Sequence, residues 1–251
     1  MVRIILSGAN GKMGRVITEC ARGRSDCAIV AGIDLNTDTP GGFRVFPSPA
    51  ACTVDADVII DFSHPAALDA LLETAAERGL PLVAATTGLD GAQIQALHGA
   101  AGKIPIFFTA NMSLGVNLMR ELSKTAARVL GDAFDIEIIE RHHNQKIDAP
   151  SGTALMLADA VAGELAAPPQ YVYDRHAQRN KRRSGEIGLH AVRGGTIVGE
   201  HDVLFAGQDE VLTISHAAYS KDIFATGALR AALFLHDKAP GLYSMSDLID
   251  S

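Results

Sequence analysis

Residues 2–7 are almost entirely apolar and run straight into Gly8, the pattern of a buried parallel strand feeding a tight turn. The period then changes. Met13, Val16, Ile17 and Cys20 recur at helical spacing, so 11–22 is expected to be a helix with one apolar face. A second strand is expected over 28–33, ended by Asp34, and a loop rich in Pro and Gly follows. A third strand is read over 58–62 and a helix over 65–78, with Pro65 suited to its first turn. A strand at 82–85, a helix near 90–101 and a strand at 104–108 complete the series. Strands alternating with helices imply βαβ units in a doubly wound parallel sheet, the Rossmann-like α/β class.

Beyond residue 112 the alternation stops. Residues 113–130 read as one long helix. In 134–141 the period is two, with Ile136 and Ile138 on one face and Glu137 and Ile139 on the other. A polar loop over 142–150 leads into a helix at 151–165, and 167–186 reads as a long loop. Three strand-like stretches follow at 187–192, 196–205 and 210–217. Short turns at Gly194-Gly195 and Gly207 suggest antiparallel neighbours, and thus an α+β domain with a mixed or antiparallel sheet. The last helix, 224–235, is apolar enough to pack back on the first domain. A dinucleotide-binding domain is therefore expected from 1–111 with 219–251, and a substrate-binding and oligomerisation domain from 112–218. Ligands in such proteins are expected in the cleft between domains.

Composition narrows the class. Apolar residues make up 47% and charged residues 20% of the 251, as in ordinary globular proteins. The net charge of −7 argues against a nucleic-acid partner. The one dense basic run, Arg179 with Lys181, Arg182 and Arg183, reads either as a solvated loop or as a contact to an anion or a second subunit. Cys20, Cys27 and Cys52 form no close pair, which suits a reducing compartment, and the first apolar stretch is too short for a signal peptide. No apolar run has the length of a membrane span. A cytoplasmic protein without membrane contact is expected.

The segment Gly8-Ala9-Asn10-Gly11-Lys12-Met13-Gly14 is a variant of the dinucleotide fingerprint. Gly8 permits the turn, Gly11 a close backbone approach to the pyrophosphate, and Gly14 close packing of helix on strand. The helix start then offers free N–H groups to phosphate, and Lys12 can add a charge. Asp34, twenty residues after Gly14, is placed to accept ribose hydroxyls. A carboxylate there repels a 2′-phosphate, and Leu35 and Asn36 bring no Arg. NADH is the expected preference, with NADPH admissible through Lys12 or a loop residue. The plainer reading of Asp34 is a residue of the strand-end turn. Ala85, Thr86, Thr87 and Gly88, and likewise Ala110, Asn111, Met112 and Ser113, follow parallel strands at their carboxyl ends, where such sheets bind ligands. They too can be connecting turns and no more.

The densest chemistry lies between Glu140 and Ala154. It holds His142, His143, Lys146 and a helix start at Ser151-Gly152-Thr153. Ser151 is a candidate cap, and the Gly152 and Thr153 amides lack intrahelical partners, so this end suits a carboxylate that Lys146 can clamp. His142 and His143 titrate near neutrality and can donate a proton. A metal at the His pair is the alternative. No Cys is near, and the acid beside the pair, Glu140, lies two residues before His142 and shares its strand face. No metal is expected.

Here the chain resembles the 4-hydroxy-tetrahydrodipicolinate (dihydrodipicolinate) reductases. Their signature segment is matched by Glu137, Glu140, His142, His143, Lys146, Asp148 and Pro150 to Ala154. Gly8–Gly14, Thr86-Thr87-Gly88, Ala110–Ser113, Gly199-Glu200-His201 and the stretch from Pro240 to Met245 are similar as well, so the resemblance spans nearly the whole chain. It implies NAD(P)H-dependent reduction of a cyclic imine dicarboxylate in the diaminopimelate route to lysine. It puts His142 at the proton donor/acceptor position and Lys146 at the second donor position. His143, Lys146, Ser151, Gly152 and Thr153 then bind substrate, and the assembly is a homotetramer formed through the second domain's sheet. The chain departs from the pattern after the third strand, where many members carry an Arg and this one has His64, and in a short loop at 206–210. The resemblance leaves open whether the substrate keeps its 4-hydroxyl. Two rival readings are an aspartate dehydrogenase on a similar frame and a catalytically inert nucleotide sensor. The intact 142–153 segment speaks against both.

Overall fold

In the computed structural model, residues 1–177 and 179–251 are described, and the chain divides into two compact units. One joins Met1–Leu114 to Lys221–Ser251, and the other is Gly115–Ser220.

The first unit contains β1 (Val2–Ser7), α1 (Lys12–Ala21), β2 (Cys27–Ile33), β3 (Val45–Phe46), β4 (Val58–Asp61), α2 (Leu68–Arg78), β5 (Leu82–Ala84), α3 (Gly91–Ala100) and β6 (Pro105–Phe108). Its seven strands run parallel in the order β12-β6-β5-β4-β1-β2-β3, where β12 is Gly241–Tyr243 from the returning chain. Alternation along the central strands builds two cores. Ile4, Leu6, Val58 and Ile60 face Ile17 of α1 together with Ala225, Leu229 and Ala232 of a late helix. Ile5 and Ile59 face Leu68 and Leu71 of α2 and Leu97 of α3. The sheet is therefore doubly wound, as the apolar runs imply. The expected helix over 65–78 is a short 3-10 turn, Pro65–Ala67, continuing into α2, and α2 stops at Gly79 in the left-handed conformation.

The second unit contains most of α4 (Leu114–Leu130), β7 (Asp135–His142), α5 (Gly152–Ala162), β8 (Gln170–Val172), β9 (Glu186–Arg193), β10 (Gly199–Ala206) and β11 (Val211–Ala218). The chain then returns to the first unit through α6 (Asp222–Leu235), β12 and α7 (Met245–Ile249). The second sheet is mixed. Its order is β11-β10-β7-β9-β8, with β7 antiparallel to β10 and parallel to β9. Thus β9 and β10 do not form the hairpin that Gly194-Gly195 suggests. That turn passes over the end of β7, where the Gly194 amide donates to the His142 carbonyl at 2.9 Å and the Asn144 amide to the Gly195 carbonyl at 3.2 Å. Ile136, Ile138, Leu189, Val203 and Phe205 form a core with Met119 and Ala127 of α4 and with Leu157 and Val161 of α5. The opposite face is half-exposed and mixes charged side chains with Ile139, Leu204, Val192 and Val211. There Arg182, from the basic run, is engaged within the chain by Asp135 at 2.6 Å and Glu137 at 3.0 Å.

Candidate active site

The turn after β1 is crowded by its own backbone. Gly8 has φ +78°, and a side chain there would meet the Phe62 carbonyl. A side chain on Gly14 would run into the carbonyl oxygens of Gly8 and Ala9. The turn therefore presents bare backbone at the start of α1, whose N-cap Gly11 makes no side-chain cap bond. The Asp34 carboxylate accepts the Asn10 amide at 2.9 Å and the Asn36 amide at 3.0 Å. The Asn10 side chain in turn donates to the carbonyls of Asn36 and Asp38 at 2.7 and 2.8 Å. Asp34 thus sits against the glycine turn while also organising its own loop. The two sequence readings of this residue are compatible.

A pocket of about 610 Å³ opens at the carboxyl ends of β4, β5 and β6. It is lined by Met13, Ala85, Thr86, Thr87, Gly88, Ala110, Asn111 and Met112 from the expected set. Gly8, Ala9, Asn10, Gly11, Lys12, Gly14, Asp34 and Ser113 lie outside its lining. Ser113 is buried, its amide donating to the Asn111 side chain at 2.8 Å. Further residues contribute that the sequence reading missed. Ser63, Lys221 and Phe224 line the pocket. Asp61, fully buried at the end of β4, accepts the Thr86 hydroxyl at 2.7 Å and the Ser63 amide at 3.1 Å, joining two of the loops. A carboxylate ending a buried strand was the available signal. His64, at the departure from the family pattern, accepts the Ala66 amide at 3.2 Å and caps the turn before α2.

The second unit gathers the 140–153 segment around one carboxylate. Glu140 and His142 both face inward on β7, and Glu140 has no exposure. Glu140 Oε2 meets His142 Nδ1 at 2.6 Å. A buried carboxylate needs donors, so Nδ1 carries the proton and Nε2 is left for chemistry. The Ser151 amide donates to Oε1 at 3.0 Å. Arg193 on β9 grips both carboxylate oxygens, each at 2.7 Å. Burial alone would push this carboxyl up. Arg193, His142 and the Ser151 amide outweigh burial and hold it below its ordinary value.

Ser151 caps α5 by accepting the Ala154 amide at 3.1 Å, and its hydroxyl also meets His201 Nε2 at 3.1 Å. The His201 ring stands edge-on to that of His142, with centroids 5.2 Å apart. Burial first, then the neighbouring His142, partly offset by Glu140, pushes the His201 imidazole down to about 4. Lys146 pairs with Asp148 at 2.8 Å. Lys146 first, and the amide of Gly152 more weakly, hold the Asp148 carboxyl below its ordinary value. The chain's own carboxylate therefore rests on the Lys146 ammonium beside the start of α5. His143 is half-buried beside it. Arg193 was not singled out in the sequence, and Glu140 entered there as a possible metal ligand and as part of the signature segment, with no role toward His142. Among the described residues, no cluster of three or more His, Cys, Asp or Glu suits a metal, and no helix is long and apolar enough to cross a membrane.

The arrangement offers a pocket of about 610 Å³ on a Rossmann-like sheet, and an oriented imidazole near a lysine and a helix start on a mixed sheet. The chain is similar to known proteins over nearly its whole length. Sequence models of the N-terminal and C-terminal domains of dihydrodipicolinate reductase match residues 2–112 and 115–249. The 4-hydroxy-tetrahydrodipicolinate reductase of Caldanaerobacter subterraneus subsp. tengcongensis is 51% identical over 99% of this chain and 98% of its own length. The Clostridium tetani protein of that name is 46% identical over 100% of this chain and 98% of its own. A dipicolinate-bound dihydrodipicolinate reductase from Paenisporosarcina sp. TG-14 superposes with a TM-score of 0.81 at 25% identity, covering 97% of each chain.

Proposed function

The chain belongs to the dihydrodipicolinate reductase family, a family of pyridine-nucleotide-dependent oxidoreductases, and from that premise we propose that it reduces 4-hydroxy-tetrahydrodipicolinate to tetrahydrodipicolinate with NADH in preference to NADPH. The step serves the diaminopimelate route to lysine. Substrate, reduced nucleotide and a proton give tetrahydrodipicolinate, oxidised nucleotide and water. The observation that carries the reading is the pairing, within 140–153, of the Glu140-oriented His142 with the Lys146 and α5 cradle.

The first unit holds the dinucleotide. The bare-backbone turn from Gly8 to Gly14 takes the pyrophosphate at the start of α1. Asp34 takes the adenosine ribose, and the 85–88 and 110–113 loops take the nicotinamide end. When bound, the reduced nicotinamide supplies the hydride. Preference for NADH is supported by the charge around Asp34. The carboxylate is fixed against the turn, and residues 35–38 add Asp38 and no cation. A 2′-phosphate would meet that charge.

The second unit holds the substrate. Lys146 and the Gly152 and Thr153 amides take one ring carboxylate in place of Asp148, Ser151 supports that end through its cap, and His143 lines the same site. His142 then delivers a proton from its oriented ring, with Lys146 as the second donor. The protein's contribution is orientation and electrostatics. We also infer a cytoplasmic homotetramer, supported by the sparse free cysteines and by the open face of the second sheet, which exposes Val192 and Val211.

The test is NADH oxidation at 340 nm with freshly prepared 4-hydroxy-tetrahydrodipicolinate, against aspartate precursors and no substrate. Substrate-dependent loss of absorbance is expected. Steady absorbance together with demonstrable NADH binding would favour the inert sensor.

A further inference from the structure

Arg193 lies 53 residues from Glu140 in sequence and in no motif, yet its guanidinium ties Glu140 to the backbone at Asp148. Nη1 donates to Glu140 Oε2 and Nη2 to Oε1, each at 2.7 Å. The same Nη2 donates to the Asp148 carbonyl at 2.6 Å. Glu140 then passes the constraint to the His142 ring and to the Ser151 amide that opens α5. The Asp148 side chain passes it to Lys146 at 2.8 Å. Strand register makes this reach possible, because Arg193 on β9 is the parallel partner of His142 on β7. On the other side of His142 lies Gly199, where a Cβ would stand 3.1 Å from Nε2. The ring is thus bounded by a carboxylate on one edge and bare backbone on the other.

We propose that Arg193 and Glu140 are a positioning pair for the reaction, in which one guanidinium fork sets both the His142 tautomer and the placement of Lys146. The inference rests on the proposed function for its catalytic consequence but not for its structural one. Glu140 without Arg193 would be a buried carboxylate short of donors, free to take a proton and release the ring. His142 would then populate both neutral tautomers, and Lys146 would lose the backbone to which its partner is tied. A Lys at 193 keeps the charge but not the bidentate fork, so it should not substitute.

The test compares wild type with Arg193→Lys and Glu140→Gln, using two readouts. The first is the 1H–15N correlation spectrum of protein labelled at its histidines. In wild type the neutral His142 ring should carry its proton at Nδ1, and both variants should show averaged tautomers. The second is steady-state kinetics. Here kcat should fall about 10- to 100-fold in each variant, while KM for NADH stays within about twofold. Wild-type kcat and an unchanged His142 signal in Arg193→Lys would overturn the proposal, and that variant decides alone if Glu140→Gln does not fold. A tautomer change in the variants, with a wild type that turns over no substrate, would support the pair and overturn the substrate reading instead.

Discussion

His142 Nδ1 stands 2.6 Å from Oε2 of Glu140, two residues earlier on the same buried strand face. The contact leaves Nε2 as the only ring nitrogen able to exchange a proton with a ligand. Replacing His142 by Gln keeps a polar side chain of similar reach but no titrating group. The expected loss in kcat is roughly 10²- to 10⁴-fold, with KM for the imine changing much less. Steady-state kinetics on the purified variant checks this, and a normal kcat would remove His142 from the proton transfer.

Lys146 is expected to act on both constants. Its ammonium holds Asp148 at 2.8 Å, and in the proposed complex it takes a substrate carboxylate instead. Lys146→Ala should raise KM for the imine by about tenfold or more and lower kcat as well, since a charge-assisted contact contributes about 1.5–3 kcal/mol. A variant altered in kcat alone would place the carboxylate elsewhere.

Asp34 governs the choice of nucleotide in this account. Asp34→Asn removes the charge yet keeps an acceptor for one of the two amides it now holds. The ratio of kcat/KM for NADH to that for NADPH should shift toward NADPH by about tenfold, which is about 1.4 kcal/mol of differential binding. An unchanged ratio would mean that the preference is set at other positions.

His201 makes stability depend on pH. Its imidazole is pushed from 6.5 to about 4, chiefly by burial. Below pH 6.5 the unfolded chain takes up a proton that the folded chain refuses until about pH 4. The unfolded state then binds more protons, so stability falls as pH drops through that window. The cost is on the order of 3 kcal/mol. Urea unfolding of His201→Gln at fixed protein concentration should give a flatter stability curve over this range. A curve parallel to wild type would acquit His201.

Much of this was legible in the sequence because it is local. Strands buried on both faces read as apolar runs, and the turn from Gly8 to Gly14 and the cap at Ser151 are set by neighbouring residues. The parts that were not legible depend on partners far along the chain. Gly194-Gly195 reads as a hairpin until β7 is seen between β9 and β10. Glu140 shows its shared face with His142, but Arg193 reaches it only through the parallel pairing of β7 and β9. His201 meets Ser151 across 50 residues. The edge strands β3, β8 and β12 have two or three residues each, too few to carry a period.

The central claim is direct hydride transfer from the nicotinamide to the imine ring. NADH carrying two deuterium atoms at C4 tests it. Incubated with 4-hydroxy-tetrahydrodipicolinate and this enzyme, it should yield tetrahydrodipicolinate containing one deuterium on a ring carbon, in proportion to the NADH oxidised. NADH consumption with no deuterium in the product, or no consumption at all, would contradict the account.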